Sequence, residues 1–309
     1  MKASVIHSEN SPSKNRFEHL PPFLRQIVGT SIEVGRRKSA LVGGILLALI
    51  FFISIFFPFF YSVDPLAQDL SRRFSPPAWQ EEGSLVHPLG ADNLGRDILA
   101  RILHGSRVSL LIGFSAVLVA ELVGIVLGLI SGYYGRKLDS LIMRVADIFL
   151  AYPFMLLTIS VIAVLGNSIF NLILVLGISD WVTYARTIRG SVLSLKKRDF
   201  IEASRAAGMS RLEILYQHIL PNVISPLVVL GTLRVANIII WESGLSFLGM
   251  GVPPPMPTWG RMLAESRIYI ADAWWLVTFP GIAIMITILS INLLGDGLRD
   301  ALDPRLRNV

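Results

Sequence analysis

The sequence predicts an all-α integral membrane protein with six transmembrane helices, and three observations support this fold class. Hydrophobic residues make up 53% of the 309-residue chain, and the mean hydropathy of +0.61 is too high for an ordinary soluble domain. The apolar residues are gathered in six runs that reach or approach the roughly 20 residues needed to cross a bilayer. The basic residues are distributed unequally among the segments between those runs.

The six apolar runs give the expected spans in order. The first run is too long for a typical signal-peptide core and follows about 35 mostly polar residues, so we expect an uncleaved anchor. The third and fourth runs are short, and only Gly166, Asn167 and Ser168 separate them, which predicts a tight hairpin. The runs are residues 40–60, 108–130, 148–165, 169–185, 223–241 and 274–294.

The distribution of Lys and Arg predicts the orientation of the chain. Twenty of the 28 basic residues lie in the N-terminal tail, in the segments after the second and fourth runs, and in the C-terminal tail. Seven lie in the other segments, and Arg234 lies inside the fifth run. The positive-inside rule therefore places both termini and the segment 199–221 in the cytoplasm.

This topology divides the chain into five parts. We expect a cytoplasmic N-terminal tail rich in Ser, Asn and Pro and only partly ordered, a first transmembrane helix, a long extracytoplasmic loop, a core of five further transmembrane helices and a cytoplasmic C-terminal tail. The core includes a cytoplasmic loop at 190–222. The five parts are residues 1–38, 39–61, 62–107, 108–297 and 298–309.

The polar segment 199–221 predicts a short helix, a tight turn and a second helix. Gly208 is placed to end the first helix in the left-handed conformation, and Pro221 is placed to end the second. Each helix begins with a residue that can cap its N-terminus and an acid three residues later. The two capping pairs are Asp199 with Glu202 and Ser210 with Glu213.

One face of the first helix in this segment is lined by small residues, since Ala203, Ala206 and Ala207 recur at helical spacing. A smooth face that ends in glycine allows the backbone of another protein to approach closely. A plain connector between two spans is the alternative. A soluble DNA-binding helix-turn-helix also has two helices around a glycine, but the flanking spans disfavour that interpretation.

The same segment resembles the EAA loop of ABC-importer permeases. The resemblance departs from the usual pattern at Ser204, where alanine is usual, and at His218, where isoleucine is usual. In that family the loop is a coupling helix that docks into a groove on a cytoplasmic ATPase. The resemblance therefore implies an ATPase-coupling role for Asp199, Glu202, Ala203, Ala206, Gly208, Leu220 and Pro221.

Three further strings resemble the second permease of dipeptide, oligopeptide and nickel importers. They lie at residues 87–97, 181–195 and 242–260. In the first string, Asp92-Asn93 followed by Gly95 predicts a turn. We expect Arg96 and Asp97 to pair or to satisfy loop carbonyls, and a calcium-type loop is a weaker alternative because the acid spacing misses the template. The residues that follow predict an apolar helical face on the outer surface, formed by Ile98, Leu99 and Ile102.

Four ionisable residues lie in or at the ends of the apolar runs. Glu121 and Arg234 both fall near mid-span and can pair, because unpaired charge at membrane depth is expensive. A structural pair and a role in lining the translocation path are both open. Asp180 lies near the inner end of the fourth run, and Glu242 lies at the outer end of the fifth, where it can face the path.

The resemblance implies the type I importer permease fold (MetI-like) in the cytoplasmic membrane of a bacterium. It implies a transport subunit, not an enzyme, for di- or oligopeptides, with nickel or another small solute as the alternative. A self-sufficient secondary transporter or channel, using Glu121, Arg234 and Asp180 as an ion relay, is the alternative from another class.

The implied partners are a second permease, two ATP-binding subunits, an extracytoplasmic substrate-binding protein and the lipid bilayer, with no nucleic acid. Because the chain has neither cysteine nor a phosphate-binding G-x-x-x-x-G-K-[ST] motif, we expect no metal site and no cofactor of its own. ATP and Mg²⁺ would be held by the partner ATPases.

Overall fold

The computed structural model describes Gly35 and residues 37–302, and the predicted partly ordered tail lies almost entirely outside them. Regular structure within the described part is helical, apart from one antiparallel bridge between Ala91 and Asp97. Ten α-helices are described there. They are α1 (Lys38–Phe60), α2 (Ile98–Tyr134), α3 (Arg136–Ala151), α4 (Phe154–Leu165), α5 (Ile169–Leu195), α6 (Asp199–Ala206), α7 (Arg211–Glu213), α8 (Leu220–Phe247), α9 (Trp259–Ser266) and α10 (Trp275–Leu302). Short 3-10 turns lie at Leu70–Arg72 and Arg267–Tyr269, and a π-helical turn lies at Ile214–Ile219.

Five helices are long and apolar enough to cross a membrane, namely α1, α2, α5, α8 and α10. A sixth crossing exists if α3 and α4 count as one span, but these two helices meet at an angle of 92°. The prediction that the third apolar run, residues 148–165, forms a single straight helix is therefore wrong. The break follows from Pro153, because proline lacks an N–H and disfavours helix at the preceding residue, and Tyr152 is accordingly extended.

Helix α2 is longer than the second apolar run because it begins outside it. The Asp97 carboxylate accepts a hydrogen bond of 2.7 Å from the backbone N–H of Ala100 and so caps the helix at its start. Ile98 and Ile102 lie in the first turns of this 37-residue helix, and Ile98 is buried. The predicted helix start at these residues is therefore confirmed, but the prediction that its apolar face lies on the outer surface is wrong for Ile98.

The core of the fold is the close packing of α2 against α5. Three glycines one turn apart on α2 face α5: Gly124, Gly128 and Gly132. A Cβ atom on Gly128 would lie only 2.7 Å from the carbonyl oxygen of Ala185. This stripe brings the two backbones together, as small residues at four-residue spacing do in membrane helices. The sequence analysis missed the stripe, although its spacing is visible in the sequence.

A charge network closes the end of the bundle at which α2 begins. Asp92 accepts hydrogen bonds from the guanidinium groups of Arg96 and Arg101, and both arginines also contact Glu265 on α9. Arg261 adds a further bond of 2.8 Å to Glu265. The network ties the loop before α2 to α9, so the Arg96 side chain pairs with Asp92 and Glu265.

The Asp97 side chain has different partners from those expected. Besides capping α2, it lies 3.0 Å from Nδ1 of His87 and accepts a bond of 3.1 Å from the Tyr61 hydroxyl. The predicted pairing of Arg96 with Asp97 is therefore wrong, because the turn after Asp92 directs the two side chains to different neighbours.

Candidate functional site: a helix–turn–helix on one membrane face and charges within the bundle

The turn between α6 and α7 has the geometry predicted from Gly208. Gly208 has φ +84°, and the backbone N–H of Met209 donates to the carbonyl oxygen of Ser204 at 3.1 Å. The Gly208 N–H donates to the carbonyl of Arg205 at 3.0 Å, which completes a Schellman-type helix end. No atom lies within 4 Å of the position that a Cβ on Gly208 would take, so its outer side is open.

The second capping pair forms as predicted. The Ser210 hydroxyl accepts from the backbone N–H of Glu213, and the Glu213 carboxylate accepts from the backbone N–H of Ser210 at 2.7 Å. Hydrogen bonds from the backbone and then the side chain of Ser210 hold the pKa of Glu213 below its usual range. The start of α7 is therefore defined by its own side chains.

The first capping pair is wrong. Helix α6 begins at Asp199 itself, and the residue before it, Arg198, makes no side-chain cap. Asp199 and Glu202 both lie in the first turn, where their negative charges still favour the helix N-terminus. They act there as charges and not as hydrogen-bond caps.

Pro221 does not end the second helix. The chain passes from α7 through the π-helical turn directly into α8, and Pro221 lies in the first turn of α8, a position that tolerates proline. The predicted stop is therefore wrong. Residues 211–247 form one continuous helical path from the exposed turn into the membrane-spanning part of α8.

The helix–turn–helix has a buried side and an exposed side. Ile201 and Ile214 are fully buried and belong to the same apolar core as α2, α5 and α8. Five of the seven predicted coupling residues lie together and exposed on α6 and its turn, while Leu220 is partly buried and Pro221 exposed at the base of α8. The five are Asp199, Glu202, Ala203, Ala206 and Gly208.

Sequence analysis missed three exposed apolar side chains in this segment. Leu212 and Tyr216 are 71% and 73% exposed, and Phe200 is also exposed on α6. Large apolar groups on an otherwise polar, exposed helix pair are typical of an interaction surface. Their position within an otherwise polar segment of the sequence was a signal that could have predicted this surface.

Arg234 on α8 contacts Asp180 on α5. Its Nη1 lies 3.4 Å from Oδ1 of Asp180, and its Nη2 donates to the Thr183 hydroxyl at 2.7 Å. Glu121 makes no ion pair within residues 37–302, and its carboxylate fills the space that a side chain at Gly231 would occupy. Of the two alternatives left open for Glu121 and Arg234, a structural pair is therefore not formed. Arg234 contacts Asp180 instead, because Asp180 lies on the face of α5 that is turned toward Arg234.

Glu242 does not face an open path in this structure. Its side chain is 1% exposed and accepts hydrogen bonds from the hydroxyl groups of Ser246, at 2.8 Å, and Thr258, at 3.1 Å. Thr258 reaches it because the chain after α8 folds back and begins α9 there. The spacing of residues along the sequence did not show that the chain folds back to Glu242.

No candidate metal centre is present among the described residues, where no group of three or more His, Asp or Glu side chains is arranged to bind an ion. The calcium-type alternative at residues 92–97 is disfavoured, because Asp92 is occupied by two arginines.

A bundle of membrane-spanning helices with an exposed helix–turn–helix on one face defines a class of membrane transport subunits. The chain belongs to the family of inner membrane components of binding-protein-dependent transport systems, whose model matches residues 124–308. Residues 35–77 match the N-terminal transmembrane domain of oligopeptide transport permease C. It is thus a multi-pass inner membrane protein.

Curated relatives support the same assignment. The chain is 44% identical over 271 residues to a di/tripeptide transport system permease protein of Pseudomonas aeruginosa, covering 88% of this chain and 89% of the relative. It is 44% identical over 272 residues to the dipeptide transport system permease protein of Escherichia coli, covering 88% and 91%. The resemblance to the second permease of this family is confirmed.

A solved structure supports the fold. The chain is similar to a chain in the inward-facing MetNI methionine ABC transporter, with a TM-score of 0.56 and 19% identity, over 67% of this chain and 98% of that one. The type I importer permease fold is therefore confirmed.

Proposed function

We propose that this chain is the membrane subunit of an ATP-driven importer that moves di- or oligopeptides across the cytoplasmic membrane. The observation that carries the proposal is the exposed helix–turn–helix that continues without a loop into a spanning helix. The names of the relatives support peptide as the cargo, since they are transport permeases for dipeptides and di/tripeptides.

The continuous path from α7 into α8 suits a coupling role. A partner that presses on the exposed side chains of α6 and α7 moves Ile201 and Ile214, which are packed in the core. The same force acts along residues 211–247, because no flexible segment separates α7 from α8. Motion at the ATPase would in this way reach the part of α8 that carries Arg234.

The proposed coupling surface consists of two groups. Asp199, Glu202, Ala203, Ala206 and Gly208 form the exposed contact, and Leu220 and Pro221 form the base on which α8 turns. The Ala residues and the open side of Gly208 allow close backbone approach, while Leu212 and Tyr216 add apolar contact area.

The proposed assembly contains a second permease, two ATP-binding subunits and an extracytoplasmic binding protein. This chain performs no chemistry, and ATP and Mg²⁺ are held by its ATPase partners. Both termini and the helix–turn–helix lie in the cytoplasm in this proposal, because the positive-inside rule requires it.

The proposed translocation path passes the polar groups on α2, α5 and α8. Arg234 is the group best placed to meet a substrate carboxylate, since part of its side chain is exposed. Glu121 offers an opposite charge beside Gly231, one turn before Arg234 on α8. Glu242 joins the path only if the α8–α9 connection moves. Nickel is less well suited, because it favours nitrogen or soft sulfur ligands and this chain has no cysteine.

Uptake measured in a deletion strain tests the cargo. Removal of this subunit should abolish accumulation of a labelled short peptide and leave nickel accumulation unchanged, and the reintroduced gene should restore the peptide signal. Loss of nickel uptake with normal peptide uptake would reject peptide as the cargo. Copurification of an ATPase with the tagged subunit separates the importer from a self-sufficient secondary transporter.

A further inference from the structure

A positively charged cleft lies beside the helix–turn–helix and has no role in the proposed transport cycle. Its volume is about 660 Å³. The inner ends of α2, α3 and α5 form one wall, and the α6–α7 region forms the other. It is lined by Tyr133, Tyr134, Arg136, Lys196, Arg205, Met209, Arg211 and Ile214.

The charges of the cleft are unbalanced. Four of its eight lining residues are basic and none is acidic. Among the ion pairs of residues 37–302, none involves Arg136, Lys196, Arg205 or Arg211. The nearby Asp139 partly offsets the charge of Lys196, but its two carboxylate oxygens are held by Arg189 at 2.6 and 2.7 Å.

Lys196 shows that the positive charges act on one another. Burial lowers its pKa, and the positive charge of Arg205 lowers it further, against a smaller opposite effect of the Asp139 carboxylate. Its ammonium group donates to the carbonyl oxygens of Gly132 at 3.3 Å and Tyr133 at 2.7 Å, at the end of α2. An ammonium group has three N–H donors, so one remains for a ligand. A bound anion would relieve this repulsion.

The position of the cleft indicates which anion. Tyr133 and Tyr134 end a membrane-spanning helix, where tyrosine is typical of the lipid headgroup level, and the Tyr134 ring is partly exposed. Leu138 and Leu141, one turn apart on the helix that Arg136 begins, are exposed and offer an apolar surface to acyl chains. Basic clefts between the cytoplasmic ends of membrane helices are typical binding sites for acidic lipid headgroups.

We propose that this cleft binds the phosphate-bearing headgroup of an anionic phospholipid. The phosphate lies among Arg136, Lys196, Arg205 and Arg211, and the acyl chains leave along α3. Because Arg205 and Arg211 belong to the helix–turn–helix while Arg136 and Lys196 end membrane helices, the lipid ties the coupling segment to the membrane. The proposal does not depend on peptide being the cargo.

The test is native mass spectrometry of the importer released from nanodiscs of phosphatidylglycerol and phosphatidylcholine. The doubly substituted variant Arg136→Gln/Arg211→Gln should retain about tenfold less phosphatidylglycerol, since each basic residue near the surface contributes noticeably to acidic-lipid binding. Phosphatidylcholine retention should not change. The single variant Arg211→Gln changes one exposed side chain and should give an intermediate loss of phosphatidylglycerol. It keeps the test valid if the double variant misfolds.

The matched control is Lys137→Gln/Arg144→Gln, which removes the same charge from exposed residues of α3 outside the cleft. It should retain phosphatidylglycerol as the unmodified chain does. Equal retention by the cleft variant, or an equal loss in the control, would overturn the proposal.

Two further outcomes would also overturn it. Complete displacement of phosphatidylglycerol by millimolar inorganic phosphate would make the ligand free phosphate, and loss of an ATPase subunit with unchanged lipid retention would make the cleft a protein-docking site.

Discussion

The guanidinium group of Arg234 on α8 lies 3.4 Å from the carboxylate of Asp180 on α5, within the membrane-spanning part of the bundle. Asp180 is buried, and Arg234 keeps part of its side chain exposed. The Thr183 hydroxyl completes the contact by accepting from Arg234 at 2.7 Å. The charge on Arg234 is therefore held in place by α5 while remaining accessible from one side.

The Asp180–Arg234 contact predicts non-additive losses of stability. Asp180→Asn and Arg234→Gln should each lower the thermal stability of the purified protein, because each leaves a charge without its partner. The double variant should lose less than the sum, by about 0.5–3 kcal/mol. Glu81→Gln combined with Arg234→Gln is the control and should be nearly additive, because Glu81 is exposed in the loop before α2. Additive losses for the Asp180–Arg234 cycle would contradict the contact.

Gly208 predicts a loss of coupling without a loss of insertion. Gly208→Leu should abolish transport, because a side chain at φ +84° costs about 1–2 kcal/mol and also fills the open side of the turn. Gly208→Asn should retain more activity, since asparagine tolerates the left-handed conformation. Substrate uptake and membrane content are measured together. Normal uptake by Gly208→Leu would mean that the turn is only a connector.

The glycine stripe on α2 predicts a packing defect. Gly128→Val should destabilise the protein by about 1–3 kcal/mol, because its Cβ would meet the Ala185 carbonyl oxygen at 2.7 Å and Ile188 at 2.8 Å. Gly190→Ala on α5 is the control, since nothing lies within 4 Å of its added Cβ. Thermal unfolding in detergent is the measurement, and equal melting temperatures for both variants would contradict the close approach of α2 and α5.

The absence of native cysteine allows a direct test of orientation. Leu85→Cys, at a side chain that is 87% exposed in the loop before α2, should react with a membrane-impermeant thiol reagent added to intact cells. Ser210→Cys should react only after the membrane is permeabilised. The reverse pattern would invert the topology drawn from the basic residues.

The charge network around Glu265 predicts sensitivity to acid. Burial raises the pKa of Glu265, but the positive charges of Arg101, Arg96 and Arg261 outweigh this and hold it below its ordinary value of 4.5. A carboxylate with a lowered pKa contributes its full stabilisation above pH 4.5, and that contribution is lost as the pH falls below it.

Melting temperatures at several pH values test this contribution. Glu265→Gln should melt lower than the unmodified chain at pH 7, and the difference should shrink toward pH 4. Glu81→Gln, at an exposed side chain without an ion pair in the described part of the chain, should follow the unmodified chain throughout. A constant difference between Glu265→Gln and the unmodified chain at every pH would show that Glu265 does not act through its charge.

Local signals in the sequence were sufficient for the class of fold and for part of the site. Long apolar runs identify the spanning helices because the bilayer requires each of them to satisfy its own backbone. The turn at Gly208 and the capping pair of Ser210 and Glu213 were predictable, because each depends only on residues a few positions apart. The family resemblance added the assignment to the second permease of peptide importers, which the relatives confirm.

Contacts between distant segments were decided by the tertiary structure alone. Whether Arg234 meets Glu121 or Asp180 depends on the rotation of α8 against α2 and α5, which hydropathy does not encode. Glu242 is buried because Thr258 returns to it from the next helix. The sequence by itself determined which segments enter the membrane and where the turn at Gly208 lies, since both are local properties. Only the packed bundle determined which charges meet, because that depends on the relative rotation and depth of helices far apart in the chain.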